Sequence, residues 1–392
     1  MPTTIFANDS PLGPALVTID GDRIVGIEVG IELGIEVGSN VENEAQRAAA
    51  DCRVDLLLPG LIDLQVNGFA GVDLMTCSED EFHRMNATLA QHGVTTYLPT
   101  LISEPLDSLE ARTALIAGWL EKREAGASTA LGLHLEGPFL APTKRGAHPE
   151  QGLRPAHRDD LLRLFDAAKG HVRLVTLAPE LPRSHELIDA CLEHGVLVSL
   201  GHSEASFEVA VGAIERGARL CTHFGNAMRG FHQREPGLSG AVLADPRITA
   251  CVIPDGIHVH DAVLTVLHRC KGSAQVILVS DAIAAAGLPD GEYQLANEAV
   301  TVVDGACRNA AGVLAGSSLR LAEGVARYER ATGAGAAELC AVSSGNAARL
   351  LGLEGAGYGL RVGARADLVG FERGASGLAL STVFVAGRSA GV

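Results

Sequence analysis

Eight short apolar runs, separated by longer stretches with helical periodicity, occupy most of the chain between Leu56 and Asp281. Short apolar runs bounded by turn residues are typical of buried strands, and their alternation with helical patterns indicates a parallel sheet of strand-helix units. A count of eight predicts a closed (β/α)8 barrel, with its chemistry at the carboxyl ends of the strands. The runs cover residues 61–66, 94–99, 131–136, 172–177, 197–202, 220–223, 249–253 and 277–281.

An open doubly wound sheet is the alternative for this alternation of strands and helices. Such sheets commonly carry a glycine-rich dinucleotide fingerprint after an early strand, and no fingerprint of that kind follows the early runs here. The barrel is therefore the favoured α/β architecture.

The two ends of the chain differ from this central part, because both read as strands and turns. A tandem Gly-Ile-Glu-like repeat at 26–38 predicts an elongated surface hairpin, in which we identify no chemistry. A second hairpin, bordering the pocket, is predicted between Gly287 and Gly312, where Asp290-Gly291 and Asp304-Gly305 are turn signals. The strand and turn patterns at the two ends are 17–22, 358–363, 367–371 and 383–388.

Four of the central runs end in a residue suited to metal chemistry: Glu136, His202, His223 and Asp281. A catalytic zinc-type centre needs three protein ligands, a water and an adjacent acid or base, and this set supplies them. Any one of the four, taken alone, is more often an ordinary loop residue. Because all four lie at equivalent strand ends, we predict that Glu136, His202 and His223 bind a metal and that Asp281 is the acid/base.

Several motifs occur in the order found in a known family, and together they are specific. The chain resembles the N-acetylglucosamine-6-phosphate deacetylases of the amidohydrolase superfamily over most of its length, from Pro59 to Leu368, and least in its first fifty or so residues. The motifs lie at 134–139, 200–203, 222–228, 254–258 and 280–282.

This resemblance implies a TIM-like barrel with a small β-sandwich domain formed from both chain ends. The corresponding domains are residues 1–57 and 356–392 for the two parts of the β-sandwich, and 58–355 for the metal-dependent barrel.

The resemblance also bears on how many ions are bound. Family members of the two-metal type carry His-x-His at the end of the first barrel strand, where this chain has Gln65 and Asn67. Neutral amides are poor ligands for a zinc-class ion, so we expect one divalent ion per subunit. Zinc is the expected metal, with iron, cobalt and manganese as alternatives, and structural hydrogen bonding is the favoured role for Gln65 and Asn67.

Further roles follow from the resemblance. His148 would bind the substrate and polarise its carbonyl, although a surface loop histidine is the alternative at that position. His134 shares a strand face with Glu136 and is either a neighbour that supports the ligands or a core histidine.

The resemblance implies a phosphate site made of Arg234 and His258, with Asn226 and Ala227 nearby. The planar guanidinium of Arg234 suits a phosphate, but pairing with Glu235 is the alternative reading. Arg234 lies in a loop bounded by proline and glycine that could project away from its own barrel. We therefore expect Arg234 to serve the site of a partner subunit in a homodimer.

The function that the resemblance implies is hydrolysis of the N-acetyl group of N-acetyl-D-glucosamine 6-phosphate, giving D-glucosamine 6-phosphate and acetate. One alternative is the same reaction on N-acetylgalactosamine 6-phosphate, and another is an amidohydrolase acting on a different N-acyl or cyclic amide. A barrel that has lost its chemistry and acts as a binding protein is a further alternative, which the four strand-end residues disfavour.

Composition limits the classes of partner that we expect this protein to bind. A net charge of −16 argues against a nucleic-acid-binding surface, and no apolar stretch is long enough to span a bilayer. The amino terminus lacks the pattern of a signal peptide, and the eight cysteines include no Cys-x-x-Cys pair. We therefore expect a cytoplasmic enzyme with reduced cysteines, no nucleic-acid or membrane partner, and a small phosphorylated amino sugar as its substrate.

Overall fold

The computed structural model describes residues 2–29, 50–122, 124–296, 298–354 and 357–391. The predicted hairpin at 26–38 is described only as far as Val29, and its remaining residues lie outside these ranges. None of the helices within the ranges is long and apolar enough to cross a membrane.

The described strands, in chain order, are β1 (Thr3–Asp9), β2 (Ala15–Asp20), β3 (Arg23–Val29), β4 (Cys52–Pro59), β5 (Leu61–Val66), β6 (Gly68–Phe69), β7 (Val72–Asp73), β8 (Val94–Leu101), β9 (Thr129–Ala130), β10 (Leu133–Glu136), β11 (Val172–Leu177), β12 (Leu197–Leu200), β13 (Leu220–Cys221), β14 (Thr249–Val252), β15 (Val276–Leu278), β16 (Gly291–Leu295), β17 (Glu298–Val303), β18 (Ala306–Asn309), β19 (Leu368–Gly374), β20 (Gly377–Val385) and β21 (Arg388–Ser389).

The described α-helices are α1 (Glu79–Gln91), α2 (Leu106–Trp119), α3 (Arg158–Ala167), α4 (Ser184–Glu193), α5 (Phe207–Arg216), α6 (Gly237–Ala244), α7 (Asp261–Lys271), α8 (Leu321–Thr332), α9 (Ala336–Cys340) and α10 (Asn346–Leu350). A π-helical turn, Ala341–Gly345, joins α9 to α10. Short 3₁₀ turns lie at Pro142–Lys144, Glu150–Gly152 and Ser273–Gln275.

Eight parallel strands form the barrel in the order β5, β8, β10, β11, β12, β13, β14, β15. Every residue of β5 and of β8 is buried, because side chains on one face fill the barrel and those on the other pack against helices. Several of the helices are amphipathic. In α1, for example, a Ser78–Glu81 capping box starts the helix, and Phe82, Met85 and Leu89 are buried. The predicted barrel and its eight strands are confirmed.

The barrel closes between β5 and the segment that follows β15. A parallel bridge joins Val66 to Ala282, and the backbone N–H of Asn67 donates to the Ala282 carbonyl at 2.8 Å. Deeper in the barrel, the buried Asp63 carboxylate accepts hydrogen bonds from the backbone N–H (3.2 Å) and the hydroxyl (2.5 Å) of Ser280. The carboxyl ends of the first and last strands are thereby held side by side.

The two chain ends meet in a second sheet, with strand order β21-β20-β19-β4-β1-β2-β3. β4 is parallel to β1 and antiparallel to β19, so the N-terminal and C-terminal segments share one sheet, as expected. Residues 358–363 form bends and turns rather than a strand, because Gly359 and Gly363 adopt positive φ angles of 106° and 85°. The exact domain boundaries stay a prediction.

An antiparallel sheet of β16, β17 and β18 is inserted after the eighth barrel strand, where the sequence predicts a hairpin. Asp304 and Gly305 form its tight turn with φ angles of 49° and 75°. Asp290 accepts the backbone N–H of both turn residues. Leu295, Arg308 and residues 312–314 of this insertion line a pocket at the mouth of the barrel. The expectation that the insertion borders the pocket is thereby confirmed.

Candidate active site

The three predicted metal ligands meet at the carboxyl end of the barrel. Glu136 Oε1 lies 3.2 Å from His202 Nε2 and 3.1 Å from His223 Nε2, and the two nitrogens are 2.9 Å apart. All three residues are buried. Ligand atoms around a tetrahedral zinc-type ion, each ~2.0–2.2 Å from it, are separated by ~3.3–3.5 Å. The observed cluster is therefore close to the size that such an ion requires.

The backbone turns sharply at these strand ends. His202, His223 and Asp281 adopt positive φ angles of 49°, 30° and 51°. This left-handed region is uncommon for residues other than glycine, and strain of this kind is concentrated at functional sites. Each strand thus ends where its functional side chain joins the cluster.

Hydrogen bonding indicates that the cluster suits a cation. His202 Nδ1 lies 2.8 Å from the Lys144 carbonyl, which can only accept, so Nδ1 carries the proton and a neutral ring has its Nε2 lone pair free. That lone pair faces the Glu136 carboxylate and a second ring nitrogen. A bound divalent ion relieves the resulting repulsion, so the residues present fit the metal expected of this site.

His148 belongs to the same cluster, since the donor atoms of Glu136, His148 and His202 lie within 4.8 Å of one another. However, the backbone N–H of Ser103 donates to His148 Nδ1 at 3.2 Å, so in the neutral ring Nε2 carries the proton. A protonated nitrogen cannot bind a metal, and His148 Nε2 lies 3.7 Å from Glu136 Oε2. His223 therefore stays the predicted third ligand, and His148 is placed as a hydrogen-bond donor.

Gln65 and Asn67 make the structural hydrogen bonds that the sequence favours, and their acceptors are the functional carboxylates. Gln65 Nε2 donates to Glu136 Oε1 (2.9 Å) and to Asp281 Oδ1 (3.0 Å), while Asn67 Nδ2 donates to Asp281 Oδ1 at 2.7 Å. Sequence reasoning missed these partners. Strand alternation places residues 65 and 67 on one face, but only barrel closure brings that face to Asp281.

The two carboxyl groups of the site have opposite pKa shifts. Burial opposes ionisation of Glu136, but the neighbouring histidines, His148 foremost, outweigh burial and hold the pKa of Glu136 well below the usual range. Burial raises the pKa of Asp281 to about 8, and the nearby charge of Glu136 adds to the effect. This value applies without a cation, since a bound divalent ion would lower it.

His134 is buried in the barrel interior, and none of its hydrogen bonds with described residues goes to a proposed ligand. Its Nδ1 lies 3.0 Å from the Leu64 carbonyl and its Nε2 lies 2.8 Å from Thr176 Oγ1. Burial lowers its pKa to about 4, so the ring is neutral near pH 7. Of the two readings of this residue, the core histidine is the one that the structure supports.

A pocket of about 640 Å³ opens over the cluster, within the usual range for small-molecule sites. Beyond the cluster and Asp281, its lining includes the predicted substrate-binding residues Asn226, Ala227 and His258. The backbone N–H of Ala227, whose φ is 48°, donates to no other described residue. The wall also carries three cations that sequence reasoning did not single out: Lys144, Arg145 and Arg308.

Arg234 lies away from this pocket. Its side chain is exposed, and its backbone N–H donates to His232 Nδ1 at 3.3 Å. Glu235, the alternative partner of Arg234, lies instead 3.6 Å from Arg229. His260, which could be mistaken for half of a His-x-His metal pair with His258, caps α7 through the N–H of Ala262.

The chain is similar to known proteins over most of its length. A model of the amidohydrolase family matches residues 56–390. An N-acetylgalactosamine-6-phosphate deacetylase of Escherichia coli O157:H7 is 37% identical over 86% of this chain and 88% of that protein. The human N-acetylglucosamine-6-phosphate deacetylase is 40% identical over 81% of this chain and 80% of that protein.

Solved structures are similar over the whole chain. A mutant N-acetyl-D-glucosamine-6-phosphate deacetylase from Mycobacterium smegmatis, in complex with N-acetyl-D-glucosamine-6-phosphate, has a TM-score of 0.86 at 29% identity and covers 100% of both chains. The chain therefore belongs to the amidohydrolase family, and within it to the N-acetylglucosamine-6-phosphate deacetylase family that its motifs resemble.

The first prediction concerns metal content. We expect purified protein to hold about one divalent ion per chain and His202→Ala to lose most of it, because two ligands cannot replace the three-donor cluster. Elemental analysis measures this directly. His185→Ala, which removes an exposed histidine from α4, is the control and should keep its metal. Two tightly bound ions per wild-type chain would contradict the prediction.

Proposed function

We propose that this enzyme hydrolyses the N-acetyl group of N-acetyl-D-glucosamine 6-phosphate, giving D-glucosamine 6-phosphate and acetate. The observation that carries the proposal is the convergence of Glu136, His202 and His223 beside Asp281 on the wall of one pocket. The M. smegmatis relative, which binds this sugar phosphate, supports the choice of substrate.

Glu136, His202 and His223 are the proposed ligands of one divalent ion. When bound there, such an ion would polarise the acetyl carbonyl and make a water more acidic. Zinc is the metal we propose, since a carboxylate and two imidazoles suit it, although iron, cobalt and manganese accept the same donors.

Asp281 is the proposed acid/base. Its Oδ1 accepts hydrogen bonds from Gln65 and Asn67, whereas its Oδ2 accepts none from the residues described. Oδ2 is thus free to take a proton from the attacking water and return it to the departing amine. A carboxylate that lines the pocket beside the three proposed ligands is placed to do both.

His148 is the proposed electrophilic partner of the carbonyl. Ser103 fixes its tautomer by donating to Nδ1, so Nε2–H is available to the oxygen on which negative charge develops. The ring is buried on the pocket wall and cannot turn freely, which reduces the reorganisation required during the reaction.

The phosphate end of the substrate is assigned to His258, Asn226 and Ala227 of the same chain and to Arg234 of a second copy. Support for the second copy is geometric, because the exposed Arg234 does not line the pocket of its own chain. Phe231, 64% exposed in the same loop, would be covered by a partner. We therefore propose a homodimer with composite sites.

N-acetylgalactosamine 6-phosphate is the second candidate substrate. The E. coli relative with that name is 37% identical to this chain, and the two sugars differ in one hydroxyl configuration. An enzyme for other cyclic or N-acyl amides is less favoured, because it would give no role to His258 at the phosphate end. We place the enzyme in the cytoplasm, where its eight free cysteines would remain reduced.

The second prediction tests the substrate. Acetate release should be fastest with N-acetylglucosamine 6-phosphate, slower with its galactosamine epimer, and slower by at least ~10²-fold in kcat/KM with unphosphorylated N-acetylglucosamine, which lacks the charge-assisted contacts. Enzymatic quantification of acetate measures all three rates. Preference for the galactosamine epimer would select the second candidate, and no acetate from any hexosamine would reject the proposal.

The third prediction separates chemistry from metal binding. Asp281→Asn keeps the size of the side chain but cannot accept the proton, so kcat should fall by at least ~10²-fold with metal content nearly unchanged. His148→Asn should also lower kcat, through weaker carbonyl polarisation. Asp107→Asn, at a side chain that is 92% exposed on α2, is the control. Near-normal kcat in Asp281→Asn would show that another group is the base.

The fourth prediction concerns Arg234. Arg234→Ala should cost about 2–4 kcal/mol in kcat/KM for the phosphorylated sugar and much less for the unphosphorylated one. Arg84→Ala, at an exposed position of α1, should cost neither. Mixed Arg234→Ala and Asp281→Asn chains should recover activity, because each heterodimer then contains one intact site. No recovery after proven subunit exchange, or a fully active monomer, would reject the composite site.

A further inference from the structure

Asp255 and His258 form a buried pair at the pocket. Asp255 Oδ2 lies 2.7 Å from His258 Nδ1, and the two side chains are only 8% and 6% exposed. Both residues belong to the loop between β14 and α7, and His258 lines the pocket wall. Asp255 precedes His258 by three residues in the chain.

The two oxygens of Asp255 have separate partners. Oδ1 accepts the backbone N–H of Ile257 and of His258, each at 2.8 Å, and thereby closes the local turn. Oδ2 is left for the imidazole of His258. One side chain thus holds the loop with one oxygen and orients the histidine with the other.

The hydrogen bond between His258 and Asp255 determines which ring nitrogen of His258 is available to a ligand in the pocket. Because a carboxylate only accepts, Nδ1 carries the proton, and the second ring nitrogen, Nε2, is left for a ligand. When a phosphate dianion approaches Nε2, the ring lies between two anions and is stabilised as an imidazolium that donates to both. Hydrogen bonds from His258 outweigh the burial that disfavours the charged carboxylate, so the pKa of Asp255 is lowered and the group stays ionised.

We propose that Asp255 is the positioning residue of the phosphate subsite, holding His258 so that Nε2–H gives a charge-assisted hydrogen bond to the 6-phosphate of the substrate. This inference rests on the proposed function and names the residue through which specificity for the phosphorylated sugar is built. In a chain with a net charge of −16, a phosphate needs such locally arranged donors.

Asp255→Asn isolates this role. The retained Oδ1 can still accept both backbone N–H groups, while the new amide donates to His258 Nδ1 and prevents a doubly protonated ring. The Asp255–His258 pair loses its charge, but the local turn that Asp255 closes is kept. We expect KM for N-acetylglucosamine 6-phosphate to rise at least ~10-fold with little change in kcat, and kcat/KM for unphosphorylated N-acetylglucosamine to stay within about twofold.

A double-mutant cycle shows whether Asp255 acts through His258. In His258→Gln, where no imidazole remains, adding Asp255→Asn should raise KM by less than about twofold further. Asp107→Asn makes the same change of charge on the exposed face of α2 and should leave both sugars unaffected. Thermal unfolding of each variant shows whether it is folded. If Asp255→Asn is unstable, His258→Gln is used in its place, and KM should rise for the phosphorylated sugar alone.

Three outcomes would overturn the inference. Equal losses with the two sugars would give Asp255 a general structural or catalytic role. Additive losses in the cycle would mean that Asp255 acts independently of His258. Unchanged KM for the phosphorylated sugar in both single variants would remove the pair from the subsite.

A binding measurement separates this inference from the proposed function. Calorimetric titration with inorganic phosphate needs no turnover, and Asp255→Asn should bind it at least ~10-fold more weakly than the wild type. If the wild type released no acetate but this difference in phosphate affinity held, the reaction assignment would fail and the subsite would stand. If acetate were released and the difference were absent, the subsite alone would fail.

Discussion

Closure of the barrel between its first and last strands is the constraint on which the site depends. Asp63 binds Ser280 across this seam, and the Val66–Ala282 bridge continues it to the barrel mouth. Desolvation of this interior carboxylate raises its pKa to about 6, and the hydrogen bonds from Ser280 partly offset that cost. A polar contact at this depth specifies which strands are neighbours, because any other pairing would leave the buried Asp63 without the two donors of Ser280.

The seam also explains why two carboxyl groups can occupy one buried site. Gln65 donates to both Glu136 and Asp281, so a neutral side chain lies where a second cation would otherwise be needed. The neighbouring histidines, His148 foremost, hold the pKa of Glu136 low, whereas burial and the charge of Glu136 raise the pKa of Asp281. One member of the pair is thus suited to hold a cation and the other to carry a proton.

Much of this arrangement could be read from the sequence. The apolar runs predicted the strands because a strand buried on both faces needs uninterrupted hydrophobic residues. Among the predicted strand and turn patterns, residues 358–363 form only bends and turns, because glycine permits the positive φ angles of Gly359 and Gly363. The role of His134 stayed open until its partners, Leu64 and Thr176, were known.

The amino-acid sequence by itself determined the fold class, the strand ends and the chemical identity of the cluster, because hydrophobic periodicity and turn residues act locally and each functional side chain follows its own strand. Only the tertiary structure decided which atoms meet. Asn67 and Asp281 are 214 residues apart, and the tautomer of His148 depends on Ser103, 45 residues away. No local pattern encodes contacts between residues so far apart in the chain. These contacts form when the eight strands close into a ring and bring their carboxyl ends around one axis.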